Sequence, residues 1–250
     1  MEALRRGDCF LYGEDGCDVD WRAFQIWKSE MGSEEKKIPF VLGITGASGV
    51  IYGLRMLQYL LSIEQPVELV MSKAALRVMK EEHDLVIPEN GIKDLLRYLE
   101  LPENAPVQHH SLMDYGASVS SGSYRTLGMA ILPCSIGTLG ALANGLTENL
   151  VHRAAAVCLK ERRRLVVVVR EMPFGHIQLK NMVALSEAGA IVSCASPGFY
   201  HRPETVSDQI DFVVGRVLDQ FNFDNDLFKR WKQDATPIVT PQRDRAKAHD

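Results

Sequence analysis

The chain has 250 residues, enough for one or two domains around a sizeable core. Hydrophobic residues make up 46%, yet no stretch approaches the roughly 20 consecutive apolar residues of a membrane span. The 28 Lys plus Arg against 32 Asp plus Glu leave a net charge of −4, with no basic run longer than the stretch from Lys160 to Arg164, which argues against a nucleic-acid partner and for small molecules or other proteins.

Residues 1–38 carry nine acids and six bases and no apolar h-region. They are too acidic for a transit peptide, and Asp15, Asp18 and Asp20 have the wrong spacing for a calcium loop. They read as a poorly ordered extension that the fold can dispense with, with Met31 as an alternative start. From residue 39 the pattern changes: Phe40–Thr45 is a buried strand, Gly46-Ala47-Ser48-Gly49 a loop, and Val50–Ser62 an amphipathic helix. A second strand at Val67–Met71 leads into a helix at Lys73–His83, and a turn or two of helix follows at Asp94–Leu101. His109-His110 falls in a polar loop, and Ser118–Thr126 is a loop rich in Gly and Ser. A strand at Met129–Leu132 precedes helices at Ile136–Ala143 and Glu148–Arg162. The strand Leu165–Arg170, a helix at His176–Ala188, a strand at Ala190–Cys194 and a helix at Val206–Gln220 complete a domain spanning residues 39–235. Residues 236–250 are polar and aperiodic, as in a disordered tail.

Strands that are apolar throughout and alternate with helices predict an α/β protein, a single Rossmann-like (flavodoxin-like) three-layer sandwich on a parallel sheet. The five cysteines form no CxxC pair and are odd in number, which argues against a zinc cage or a disulfide framework and for a reducing, cytoplasmic setting. Three of them, Cys134, Cys158 and Cys194, lie in apolar surroundings and are expected as small buried hydrophobes.

In open α/β sheets the ligand lies beyond the carboxyl ends of the strands. Those ends deliver Gly46-Ala47-Ser48-Gly49, Ser72-Lys73, Cys134-Ser135-Ile136-Gly137-Thr138, Arg170-Glu171 and the turn Ser196-Pro197-Gly198-Phe199-Tyr200. Small hydroxyl residues that open helices suit a phosphate, because free N–H groups and the positive helix end face it. Alone, GASG would be explained by a tight turn; four further ends of the same kind weaken that explanation. The glycines do not form GxGxxG, and Ser72-Lys73 stands where a dinucleotide site wants an acid, so a mononucleotide such as FMN fits better than NAD. Arg153 and Lys160, seven residues apart, share a helix face, and Arg216 lies in the last helix. There is no DDxxD motif, so a phosphate leaving group would be held by cations rather than by a metal. His152, His176 and His201 have no metal-ligand spacing, and no Ser-His-Asp or Cys-His arrangement is legible.

Four blocks in order, GITGASGVIYGLRML, SGSYRTLGMAILPCSIGTL, NLVHRAAAVCLKERRRLVVVVREMPF and GFYHRPETVSDQIDFVVGRVLD with LFKRW after it, together resemble the UbiX-type flavin prenyltransferases, long regarded as aromatic-acid decarboxylases. The resemblance runs from about Phe40 to Trp231. It implies a homo-oligomer, typically a dodecamer, that binds reduced FMN and joins a dimethylallyl group from dimethylallyl phosphate to flavin N5 and C6. The prenylated flavin then serves a UbiD-type decarboxylase. By position, the resemblance puts FMN contacts on Gly46, Ala47, Ser48, Ser72, Ser135, Ile136, Gly137, Thr138 and Arg170. It puts prenyl-phosphate contacts on Arg153, Lys160, Tyr200 and Arg216, a proton-handling acid on Glu171 and a relay on Ser48. The chain departs from many relatives at Leu127 (Asp), Gly175 (a hydroxyl residue) and Lys180 (Glu), the first of which is expected to loosen the Ser118–Thr126 loop. Two rivals fare worse. A cysteine-decarboxylating sibling would carry a PASANT-type motif at Pro133–Thr138 and a catalytic His after its first strands. A non-catalytic flavin carrier would have lost Arg153, Lys160, Glu171 or Tyr200.

Overall fold

The structure is a computed structural model that describes residues 37–88 and 91–231. The expectations for residues 1–36 and for the tail lie outside the described residues. Six strands, β1 (Phe40–Ile44), β2 (Val67–Met71), β3 (Val107–His110), β4 (Met129–Cys134), β5 (Leu165–Val169) and β6 (Ile191–Cys194), form one parallel sheet in the order β3-β2-β1-β4-β5-β6. The predicted Rossmann-like sandwich is therefore present, and the order is the doubly wound one that reverses direction between β1 and β4. The helices are α1 (Val50–Ser62), α2 (Lys73–His83), α3 (Ile92–Tyr98), α4 (Ile136–Ala143), α5 (Leu150–Lys160), α6 (His176–Glu187) and α7 (Val206–Gln220), with a 3-10 turn at Ser118–Ser120.

Period-two alternation along the buried strands fills two cores. Phe40, Leu42 and Ile44, with Val67, Leu69, Met71, Val166 and Val168, face α1, α2 and α7. Val41, Val70, Ile131, Val167 and Val169 face the other way, against α4, α5 and α6. α1 buries Val50, Leu54, Leu57 and Leu61 at helical spacing, and its Arg55 reaches Asp211 of α7 at 2.6 Å. This ion pair ties α1 to α7 within that layer.

One strand departs from expectation. His109-His110, expected in a polar loop, ends β3, which pairs along β2 from Val67↔Val107 to Val70↔His110. β3 is a four-residue edge strand, VQHH, and only its last residue is buried. It is held by backbone pairing and so carries almost no apolar signal. Cys194 is exposed rather than buried, because it ends the edge strand β6 at the ligand side of the sheet. Cys134 and Cys158 are buried as expected, and burial pushes their thiols up to about 12 and about 11. Both are inert packing groups.

Candidate active site

The reversal of strand order leaves a crevice where the loops after β1 and β4 separate, and Thr45 joins them across it. Its buried hydroxyl donates to the Pro133 carbonyl and accepts the Ser135 N–H, both at 2.8 Å. Three helices begin here, so their positive ends converge. Ser72 opens α2 and its hydroxyl accepts the Ala75 N–H at 3.0 Å. Ser135 opens α4, accepting the Thr138 N–H at 3.3 Å and bonding the Thr138 hydroxyl at 3.1 Å. Gly49 opens α1 at φ 92°, the left-handed region that glycine enters without penalty. A Cβ on Gly46 would lie 2.2 Å from the Cβ of Ala74, so the first loop packs onto α2 only because residue 46 is glycine.

The N-terminus of α1 already holds an anion from the chain itself. Both carboxylate oxygens of Glu82, on α2, accept the Gly49 N–H at 3.0 Å, and one also accepts the Val50 N–H at 3.3 Å. Glu82 was missed in the sequence because it lies on the exposed face of an amphipathic helix among Lys80, Glu81 and His83. Only the fold brings it beside Ser48.

Arg170 and Glu171 follow β5, and Arg170 lies close enough to Tyr52 of α1 to pull its phenol down against the larger upward push of burial. With Met172, Phe174, Cys194 and Ser196 they line a cavity of about 410 Å³ at the carboxyl ends of β5 and β6. The Glu171 carboxylate accepts the Met172 N–H at 2.9 Å. Gly46, Ala47, Ser48, Ser72, the Ser135–Thr138 turn, Arg170 and Glu171 thus gather at one edge of the sheet.

The other cations divide into two groups. Tyr200 packs edge-on against Phe212 of α7 (5.6 Å between centroids) and Trp231 (5.4 Å). Arg216, one turn beyond Phe212, bonds Asp219 at 3.1 Å, and Asp219 is also gripped by Arg230. This group lies on the α1–α7 face. Arg153 and Lys160 belong to α5, on the opposite face. Arg153 donates to the Ser120 carbonyl at 3.0 Å, while Lys160 pairs with Glu161 near the start of β5, at the sheet's far edge. One chain therefore does not bring Arg153 and Lys160 to Tyr200 and Arg216. Leu127 is exposed, and the loop before it is fastened by other means: Arg163 donates to the carbonyls of Tyr124 (2.6 Å) and Gly122 (2.5 Å).

The Flavoprotein family model matches residues 28–218. A flavin prenyltransferase UbiX of Alkalihalophilus pseudofirmus is 45% identical over 80% of this chain and 98% of its own length. The Pseudomonas aeruginosa UbiX is 44% identical over 76% of this chain and 92% of its own. The chain belongs to the UbiX flavin prenyltransferases. Among solved UbiX structures, AnUbiX in complex with FMN and dimethylallyl pyrophosphate superposes with a TM-score of 0.70 at 38% identity, covering 78% of this chain and 98% of that one. A dodecameric FMN-dependent UbiX-like decarboxylase from Escherichia coli O157:H7 gives 0.69 at 39% identity, covering 78% and 99%.

The site suits the flavin that family members bind. Hydroxyls at Ser48, Ser72, Ser135 and Thr138, the two open helix ends of α2 and α4 and the Arg170 guanidinium make a donor set for a phosphate and for a polar ring edge. Among the described residues no three His, Cys, Asp or Glu side chains could hold a metal ion.

Proposed function

We propose that the chain is a flavin prenyltransferase that joins a dimethylallyl group from dimethylallyl phosphate to N5 and C6 of reduced FMN, making the prenylated cofactor of a UbiD-type decarboxylase. The observation that carries this reading is that Ser72, Ser135–Thr138 and Arg170-Glu171 all follow strands at the carboxyl edge of one parallel sheet, in a chain 45% identical to a UbiX enzyme. Bound there, reduced FMN supplies the nucleophilic positions.

The chain's own residues do the rest. We assign FMN binding to Gly46, Ala47, Ser48, Ser72, Ser135, Ile136, Gly137, Thr138 and Arg170. With Glu82 on the α1 amides, the free helix ends for the flavin phosphate are those of α2 and α4. Breaking the allylic C–O bond leaves charge on the departing phosphate. Arg153, Lys160, Arg216 and the Tyr200 hydroxyl are assigned to stabilise it in a site with little water. Glu171 is assigned the proton at the departing phosphate oxygen. Ser48 is assigned a relay near flavin N5, supported by the Glu82 carboxylate on the adjoining N–H.

Because Arg153 and Lys160 lie on the face opposite Tyr200 and Arg216, a complete phosphate site calls for a second copy of the chain. This supports a homo-oligomer, which we take to be a dodecamer like the E. coli relative. We assign the catalytic domain to residues 39–235, with residues 1–38 dispensable, and the protein to the cytoplasm, in keeping with the three free cysteines among the described residues.

The test is anaerobic incubation of the purified protein with reduced FMN and dimethylallyl phosphate, then with the pyrophosphate, followed by the mass of the flavin. A gain of one dimethylallyl unit is expected. Tightly bound but unmodified FMN with both donors would instead favour a flavin carrier.

A further inference from the structure

We propose that the hydrogen bond of Tyr124 to the buried Glu68 is a positioning device for Arg153: it fixes the loop whose Ser120 carbonyl holds the Arg153 guanidinium, and so sets the affinity for the prenyl phosphate. The inference rests on the assignment of Arg153 above and extends it to residues outside that site.

Glu68 occupies the middle of β2. Its neighbours Val67 and Leu69 point to the α1–α7 core, so by strand alternation Glu68 points to the α5 face together with Val70. It is 7% exposed, and a carboxylate at such depth is costly unless both oxygens are partnered. Both are. Oε1 accepts the Tyr124 hydroxyl at 2.5 Å, and Oε2 bonds Nε2 of the equally buried His110 on β3. Those partners outweigh burial and hold the Glu68 carboxyl below its ordinary range.

Tyr124 lies four residues beyond Ser120, in the segment that returns from β3 to β4. Arg163 grips the main chain of that segment at Gly122 and Tyr124, and Arg153 donates its Nε to Ser120 at 3.0 Å. Glu68 and His110 are sealed beneath this segment and cannot touch a ligand, so any effect they have on the reaction passes through the loop to Arg153. An apolar residue would fill the same space at lower cost. What the carboxylate adds is a directional bond that fixes where the loop main chain sits, and a displacement of about 1 Å at a phosphate-binding cation is enough to weaken its grip.

The test is steady-state kinetics of flavin prenylation by the full chain, with FMN affinity from flavin fluorescence and the melting temperature recorded alongside. Tyr124→Phe removes only the hydroxyl. It is expected to raise KM for dimethylallyl phosphate by roughly 5–20-fold while kcat and the FMN Kd stay within about twofold. In an Arg153→Ala background the same substitution should add nothing further, because the coupling runs through Arg153. Glu68→Gln should follow Tyr124→Phe, and if it fails to fold, Tyr124→Phe decides alone. Unchanged KM in Tyr124→Phe, or an effect that simply adds to that of Arg153→Ala, overturns the inference and leaves the site assignment standing. Unchanged KM in Arg153→Ala itself overturns the assignment and the inference with it.

Discussion

Thr45→Val tests whether the two switch-point loops are held together by a single hydroxyl. Valine keeps the shape of threonine but removes one donor and one acceptor from a side chain that is 1% exposed. Pro133 keeps the Thr45 N–H as a donor at 3.2 Å, whereas the Ser135 N–H loses its acceptor. One orphaned N–H costs about 1–3 kcal/mol, which for a chain of this size lowers the melting temperature by roughly 4–8 °C at a mid-range cost of ~2 kcal/mol. The larger consequence is local. Ser135 caps α4 and opens the turn assigned to the flavin, so its displacement should weaken FMN binding by about tenfold. Differential scanning fluorimetry and flavin fluorescence titration read the two effects separately, and Thr45→Ser, which keeps the hydroxyl, should restore most of both. A valine variant with native stability and native FMN affinity would refute the reasoning, as would a serine variant as impaired as the valine.

Glu171→Gln is expected to keep FMN affinity and to lower the prenylation rate by on the order of 10²-fold, measured in single turnover, as for a lost proton-transfer group. Arg216→Ala should weaken prenyl-phosphate binding without changing flavin affinity; a variant that purifies free of flavin would show Arg216 to be misassigned. Co-expressing Arg153→Ala with Tyr200→Phe chains should recover about a quarter of wild-type activity by random assortment, since some junctions then join two intact faces, and no recovery would mean that each chain carries its whole site. Glu68 makes stability depend on acid. Its carboxyl is held below the ordinary 4.5 when folded, so its contribution is complete above that value and disappears as pH falls through the folded one. Melting temperatures measured down the acid range should fall more steeply for wild type than for Glu68→Gln.

The elements legible in the sequence were those whose burial is written in periodicity. The bounds of α1, β2, α2, α4 and α7 in the structure are those that the alternation of apolar and polar residues predicts, because each buries one complete face or both. β3 was illegible because its Gln and His residues are held by backbone pairing and by one carboxylate. At the site, hydroxyls at strand ends stood out because the sheet topology dictates where a strand end points. Thr45, Glu82 and the Glu68–Tyr124 bond did not. Each acts on a residue 33 to 90 positions away, and nothing local marks such a partner. For the same reason, Arg153 and Lys160 looked like members of one cluster with Tyr200 and Arg216. Helical spacing showed that the first two share a face, but not on which side of the sheet that face lies.

That side decides how the site is built. A sheet with packed layers on both faces cannot let side chains from α5 and α7 meet through it, and stacked layers stand about 10 Å apart. If all four phosphate-binding groups act on one substrate, α5 of one copy must approach the Tyr200 turn of another. The surface is suited to this. Phe199 stands exposed next to Tyr200 and Val206 at the start of α7, and Met113, Tyr115 and Leu146 beside the start of α5, where Leu150 bonds the Leu112 carbonyl. Apolar side chains left open around both halves of a divided polar site are what an interface between copies would cover, burying them and drying the site in one step. Assembly then belongs to the chemistry: Arg153, Lys160 and Arg216, each partnered within its own chain, would face the departing phosphate together only after the apolar rims have closed around them.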